Sequence, residues 1–169
     1  MNKDIVFFAI LFVTMMLLQI LVCNHIALFN VAIPIVFIYF IIRLPISLNT
    51  SFLLTLSFLA GFIIDIFSDT LGVNSLACTF LAVLKKPVFF AYVDKDDRTK
   101  DLLPSVATLG IGTYSKYLFS MIIIYCLLVF SIEYFNFANV KDIVILSASS
   151  CTLTFIVLLA TDCLILSKR

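Results

Sequence analysis

Residues 51–84 read SFLLTLSFLAGFIIDIFSDTLGVNSLACTFLAVL, two apolar runs split by a short polar break at Ser68-Asp69-Thr70. The first run is near the length of a bilayer core and the second, 71–84, is short for a span, and the polar break between them reads as a turn joining two helices. Similar apolar runs fill the rest of the chain. Of its 169 residues, 63% are hydrophobic and only 12% charged, against about 45–50% and about 25% in a soluble domain. The expected fold class is therefore all-α, a polytopic membrane protein of about six transmembrane helices in a single domain spanning 1–169.

Working outward, the apolar runs predict helices at about 5–23, 26–42, 51–67, 71–84, 115–135 and 143–166. The first run is too long for a signal-peptide core and lacks a small-residue cleavage site, so it reads as helix one. Asn24-His25 turns the chain into helix two, which carries Pro34. Lys85-Lys86-Pro87 is expected to end helix four, leaving 88–93 as an aromatic segment at the membrane surface. Helix five can begin near Ser105 or only after Lys116, and a start near Ser115 is favoured. The most polar stretch, Asp94 to Asp101, belongs to a loop at 85–101.

Charge placement orients the chain. With the N-terminus inside, Lys3, Arg43, Lys85, Lys86, Lys95, Arg98, Lys100, Lys168 and Arg169 lie on the inner side and only Lys141 on the outer side. The excess of Lys and Arg in cytoplasmic loops predicts both termini in the cytoplasm. The loop residues Lys95, Arg98 and Lys100 become candidates for docking a cytoplasmic partner or anionic lipid. A net charge of +1 argues against nucleic acid as a partner.

Asp65 is the most informative residue, because an ionised side chain within an apolar helix is costly and marks a functional candidate. Ser57, Gly61, Asp65 and Asp69 are spaced by four and share one helix face. Gly61 allows a neighbouring backbone to come close. Asp65 can serve a partner helix or simply brace its own bundle; both readings stand. Lys116 and Asp162 lie at compatible depths for an intramembrane pair. The five cysteines are scattered singly, no metal-ligand spacing occurs, and no nucleophile or base accompanies the two acids, so neither a metal, a cofactor nor an enzyme activity is expected.

The segment Gly61-Phe-Ile-Ile-Asp65-Ile-Phe-Ser68-Asp69-Thr-Leu71-Gly72-Val-Asn74-Ser-Leu76-Ala77 resembles the rod shape-determining protein family MreD, with its Gly-x-x-x-Asp helix end, short polar turn and Leu-Gly opening the next helix. The resemblance implies a non-enzymatic scaffold subunit of the bacterial cell-elongation machinery. It implies partner-binding or structural roles for Gly61, Asp65, Asp69, Gly72 and Asn74. The implied partners are the single-span protein MreC and, beside it, MreB, RodA and the elongation transpeptidase, all at the bacterial cytoplasmic membrane. The family fold resembles the substrate-binding subunits of energy-coupling-factor transporters, so a vitamin-binding subunit is the rival expectation. The absence of tryptophan and the scarcity of polar residues in the expected outer loops weigh against that rival.

Overall fold

The computed structural model describes residues 2–23, 34–93, 103–133 and 140–167, and over these it is helical with no strand. Helix α1 (Asn2–Leu18) runs on through a π-helical turn, Gln19–Cys23. There follow α2 (Ile38–Arg43), α3 (Thr50–Ser68), α4 (Val73–Tyr92), α5 (Val106–Glu133) and α6 (Val140–Ser167). Three of the described helices, Thr50–Ser68, Val73–Tyr92 and Val106–Ile132, are long and apolar enough to cross a membrane; Val6–Val22 and Ser147–Cys163 are apolar but shorter. The protein is thus an all-α, membrane-embedded molecule. Its outer surface agrees: Phe52, Phe58, Phe62, Ile66 and Phe67 stand exposed along α3, where hydrocarbon replaces water as the solvent.

Helices adjacent in sequence pack on each other, α3 on α4, α4 on α5 and α5 on α6. The short α2 sits at the centre against α1, α4 and α5, with Ile38, Tyr39, Ile41 and Ile42 wholly buried. Helix two was expected over 26–42 with Pro34 inside it. Its stretch 26–33 lies outside the described residues, and in the rest the helix begins only at Ile38. Pro34 supplies no N–H, and the non-helical backbone of residues 34–36 is held by side chains. Ile35 N donates to Thr154 Oγ1 at 3.0 Å, Val36 N donates to Gln19 Oε1 at 2.7 Å, and Gln19 Nε2 donates to the Pro34 carbonyl at 3.2 Å. Unwound backbone at membrane depth persists only where protein groups satisfy it in this way.

Two further boundaries differ from expectation. Helix α4 does not stop at Leu84 but continues through Pro87 to Tyr92. Lys85 explains this, because its amino group turns inward: Nζ donates to the carbonyls of Ile41 at 2.8 Å and Leu44 at 2.5 Å, so a wholly buried lysine caps the C-terminal end of α2. Lys86 Nζ similarly reaches Leu48 O and Thr50 Oγ1, both at 3.1 Å. The segment 88–93 is therefore the end of α4 rather than a separate surface stretch, with Phe89 and Val93 buried. Helix α5 starts at Val106 instead of near Ser115, broken at Gly110, whose φ of 75° and ψ of 158° lie outside any helix. That positive φ is open to glycine at little cost.

Candidate functional site

The α3–α4 hairpin is built around Asp65. Helix α3 ends where Asp69 adopts a left-handed conformation (φ 52°, ψ 34°), and α4 begins after Gly72 (φ 78°, ψ 13°). A helix N-terminus leaves its first N–H groups without partners, and a Ser, Thr, Asp or Asn at the cap position normally accepts from them. Gly72 has no side chain to do so. The carboxylate of Asp65, one turn before the end of the preceding helix, does it instead. Its Oδ1 accepts from Asn74 N at 2.9 Å, Asn74 Nδ2 at 3.1 Å and Thr70 Oγ1 at 2.6 Å. Its Oδ2 accepts from Ser75 N at 2.8 Å and from the Ser75 hydroxyl. Asn74 and Ser75 are the second and third residues of α4, the positions an N-cap serves, and the helix dipole there favours a negative charge. This is how a carboxyl group that is only 4% exposed finds a hydrogen-bond donor for each oxygen at this depth.

The joint extends in two directions. Asn74 Oδ1 accepts from the Tyr125 hydroxyl at 2.5 Å, which ties α5 to the hairpin, and Asn74 Nδ2 also donates to Thr70 Oγ1 at 3.2 Å. One turn before Asp65, Gly61 lets the two helices meet. A Cβ placed there would stand 2.5 Å from Asn74 O and 2.5 Å from Ser75 Cα. Of the residues singled out in the sequence, Gly61, Asp65 and Asn74 thus come together. Gly72 contributes conformation rather than contact, and Asp69 is exposed, serving the turn through its backbone. Thr70, Ser75 and Tyr125 were not anticipated; for Thr70 and Ser75 the signal was a hydroxyl within the polar turn and another at the third position of a helix lacking a capping side chain.

The second intramembrane acid repeats the device. Asp162 of α6 is 1% exposed, and its Oδ2 accepts from Val106 N at 2.9 Å. Val106 is the first residue of α5, so another helix N-terminus is capped by a carboxylate from elsewhere in the bundle. Oδ1 accepts from the Tyr39 hydroxyl at 2.6 Å, and the carboxylate is ion-paired with Arg43 Nη1. Arg43 Nη1 also donates to Tyr39 at 2.5 Å. The pair expected between Lys116 and Asp162 is therefore replaced by one with Arg43. Lys116 stands exposed on a face of α5 turned away from the bundle, while Arg43, at the end of the central α2, points inward. Lys95, Arg98 and Lys100 lie outside the described residues.

Chemically, both carboxylates are occupied in holding helix ends together, with hydrogen-bond donors on each oxygen. Such an arrangement fixes helix positions; it leaves neither acid poised against a substrate. Among the described residues no three His, Cys, Asp or Glu side chains gather as a metal site would require. No family model matches the chain, nor does any curated protein or any solved structure.

Proposed function

We propose that this chain is a non-enzymatic scaffold subunit of the bacterial cell-elongation machinery, of the MreD kind, which binds a single-span MreC-like protein and helps direct cell shape and peptidoglycan synthesis. In this reading six helices cross the cytoplasmic membrane with both termini in the cytoplasm, and MreB, RodA and the elongation transpeptidase act beside the complex. The observation that carries it is the α3–α4 joint. Gly61, Asp65 and Asn74, which belong to the stretch that resembles the family, form one braced corner whose chemistry is mechanical: a close backbone approach, and a carboxylate saturated by five donors. A rigid frame exposing apolar helix faces suits a protein whose work is to hold other membrane helices.

One observation favours the rival reading, a substrate-binding subunit of a vitamin transporter. The stretch 34–36 before α2 is non-helical backbone inside the bundle, and irregular backbone among spanning helices is the device around which many transporter sites are built. Here the polar groups at that break, Gln19 and Thr154, bond to the backbone of the break itself, which weighs toward structure over ligand. The test is depletion in the native bacterium. Rod-shaped cells should round up and be restored by the wild-type chain but not by Asp65→Leu. Depleted cells that stay rod-shaped while losing uptake of a vitamin would replace the scaffold with the transporter.

A further inference from the structure

Helix α5 does not begin as one piece. At Gly110 the backbone takes φ 75° and ψ 158°, a region that residues with a side chain scarcely enter. A Cβ on Gly110 would meet nothing within 4 Å, so no neighbour crowds the glycine into this conformation and none braces it there. The break sets off a short segment, 103–109, from the long helix that follows.

That segment is closed on itself. Thr108 N and Leu109 N both donate to the Ser105 carbonyl, at 3.2 and 3.1 Å. Ser105 N donates to Thr108 Oγ1 at 3.3 Å, and the two hydroxyls lie 3.1 Å apart. Thr108 Oγ1 also donates to Leu103 O at 2.6 Å. A single helical turn is thus capped by its own side chains in the manner of a capping box, and it needs no bond to the rest of α5 to keep its shape. Pro104, Ser105 and Val106 are buried, whereas Ala107, Thr108 and the residues at and past the break, Gly110, Ile111 and Gly112, are exposed. The buried side is fastened to α6 by the bond from Val106 N to Asp162 Oδ2 at 2.9 Å. Asp162 in turn holds Tyr39 and Arg43 of α2.

We propose that 103–109 is a clasp that swings as a unit about Gly110 and is latched shut by the bond between Val106 and Asp162. When the clasp opens, Asp162 loses its α5 donor and is left to Tyr39 and Arg43. The polar run Asp94 to Asp101 comes just before the clasp in the chain. Tension on that run therefore reaches Val106 first and, through the shared carboxylate, the central α2. The clasp is a conformational switch between the inner loop and the middle of the bundle, and it does not depend on the scaffold reading.

The test is residue-resolved amide hydrogen exchange on the purified full chain in mild detergent. In the wild type, Val106, Thr108 and Leu109 should share one opening equilibrium, more frequent than that of the amides in 117–130. Gly110→Ala strains the hinge in its latched conformation without meeting any neighbour, and should speed exchange at those three amides by about tenfold while leaving 117–130 unchanged. Val106→Pro deletes the N–H that Asp162 accepts, at a first helical position where proline is tolerated. It should speed exchange at Thr108 and Leu109 by about tenfold as well, again without change in 117–130. Gly112→Ala, also in open space, is the control and should leave all of these amides as they are. If either Gly110→Ala or Val106→Pro leaves Thr108 and Leu109 exchanging as in the wild type, if exchange rises equally through 117–130, or if Gly112→Ala acts as strongly as Gly110→Ala, then 103–109 is no separately hinged clasp and the proposal fails.

Discussion

Gly61→Ala tests the α3–α4 joint at its tightest point. The added methyl would lie 2.5 Å from Asn74 O, 2.5 Å from Ser75 Cα and 2.6 Å from Ser75 N, about 1 Å inside the distance at which such atoms attract. All three are backbone atoms, so no side chain can swing aside and the helices must part. Overpacking of this kind costs roughly 1–3 kcal/mol. The same displacement pulls the Asn74 and Ser75 N–H groups, now at 2.9 and 2.8 Å, away from a charged acceptor, where each bond contributes about 1.5–3 kcal/mol. If the parting loses about half of the two bonds' worth, the total is about 2.5–6 kcal/mol. Reversible unfolding in mixed detergent micelles, titrated with sodium dodecyl sulfate, reads this directly. Gly112→Ala is the control, because a Cβ there meets nothing within 4 Å and a helical Gly→Ala change is neutral or stabilising by up to about 1 kcal/mol. A Gly61→Ala protein as stable as the control would refute the close approach.

Other variants probe the remaining contacts. Asp65→Asn places an amide N–H2 among donors that all point at the carboxylate, so it should lose about 1–3 kcal/mol, and Asp65→Leu, which also strands both α4 N–H groups, should lose more; equal stability of all three proteins in the same unfolding assay would contradict the capping role. Arg43→Met and Asp162→Leu should each cost about 3–5 kcal/mol by leaving one buried charge unpaired, and the double variant less than the two together; additive losses would show that the pair does not interact. In cells, a cysteine probe placed at Asn136 should be labelled from outside and one at Asp97 should not, and the reverse pattern would invert the orientation.

Much of the frame could be read from local pattern. Helix α3 lies within a residue of its expected bounds because its apolar run is bracketed by Thr50 and the Ser68-Asp69-Thr70 turn, and the four-residue spacing set Gly61 and Asp65 on one helix face, which the structure turns toward α4. What escaped was decided by distant partners. Lys85 reads as a helix terminator beside Lys86-Pro87, yet two carbonyls at the end of α2, some 40 residues earlier, accept hydrogen bonds from its Nζ and let α4 run on. Pro34 reads as a kink inside a span, yet Gln19 and Thr154, from opposite ends of the chain, hold an unwound segment there. Asp162 was matched to Lys116 by depth alone; the choice of Arg43 depends on which way each helix is rotated, and in α5 and α6 hydrophobic residues on all sides leave that rotation without a mark in the sequence. The Asp65 cap was half visible: the missing side chain at Gly72 and the acid seven residues earlier are both plain in sequence, but that they answer each other follows only from the left-handed turn at Asp69.

The scaffold claim is tested most directly by affinity purification of the tagged chain from its native membrane in mild detergent, followed by mass spectrometry of what accompanies it in stoichiometric amount. The account predicts a protein with a single transmembrane span, retained by the wild type and lost with Asp65→Leu. Recovery of a cytoplasmic ATPase module in its place, indifferent to Asp65, would contradict it.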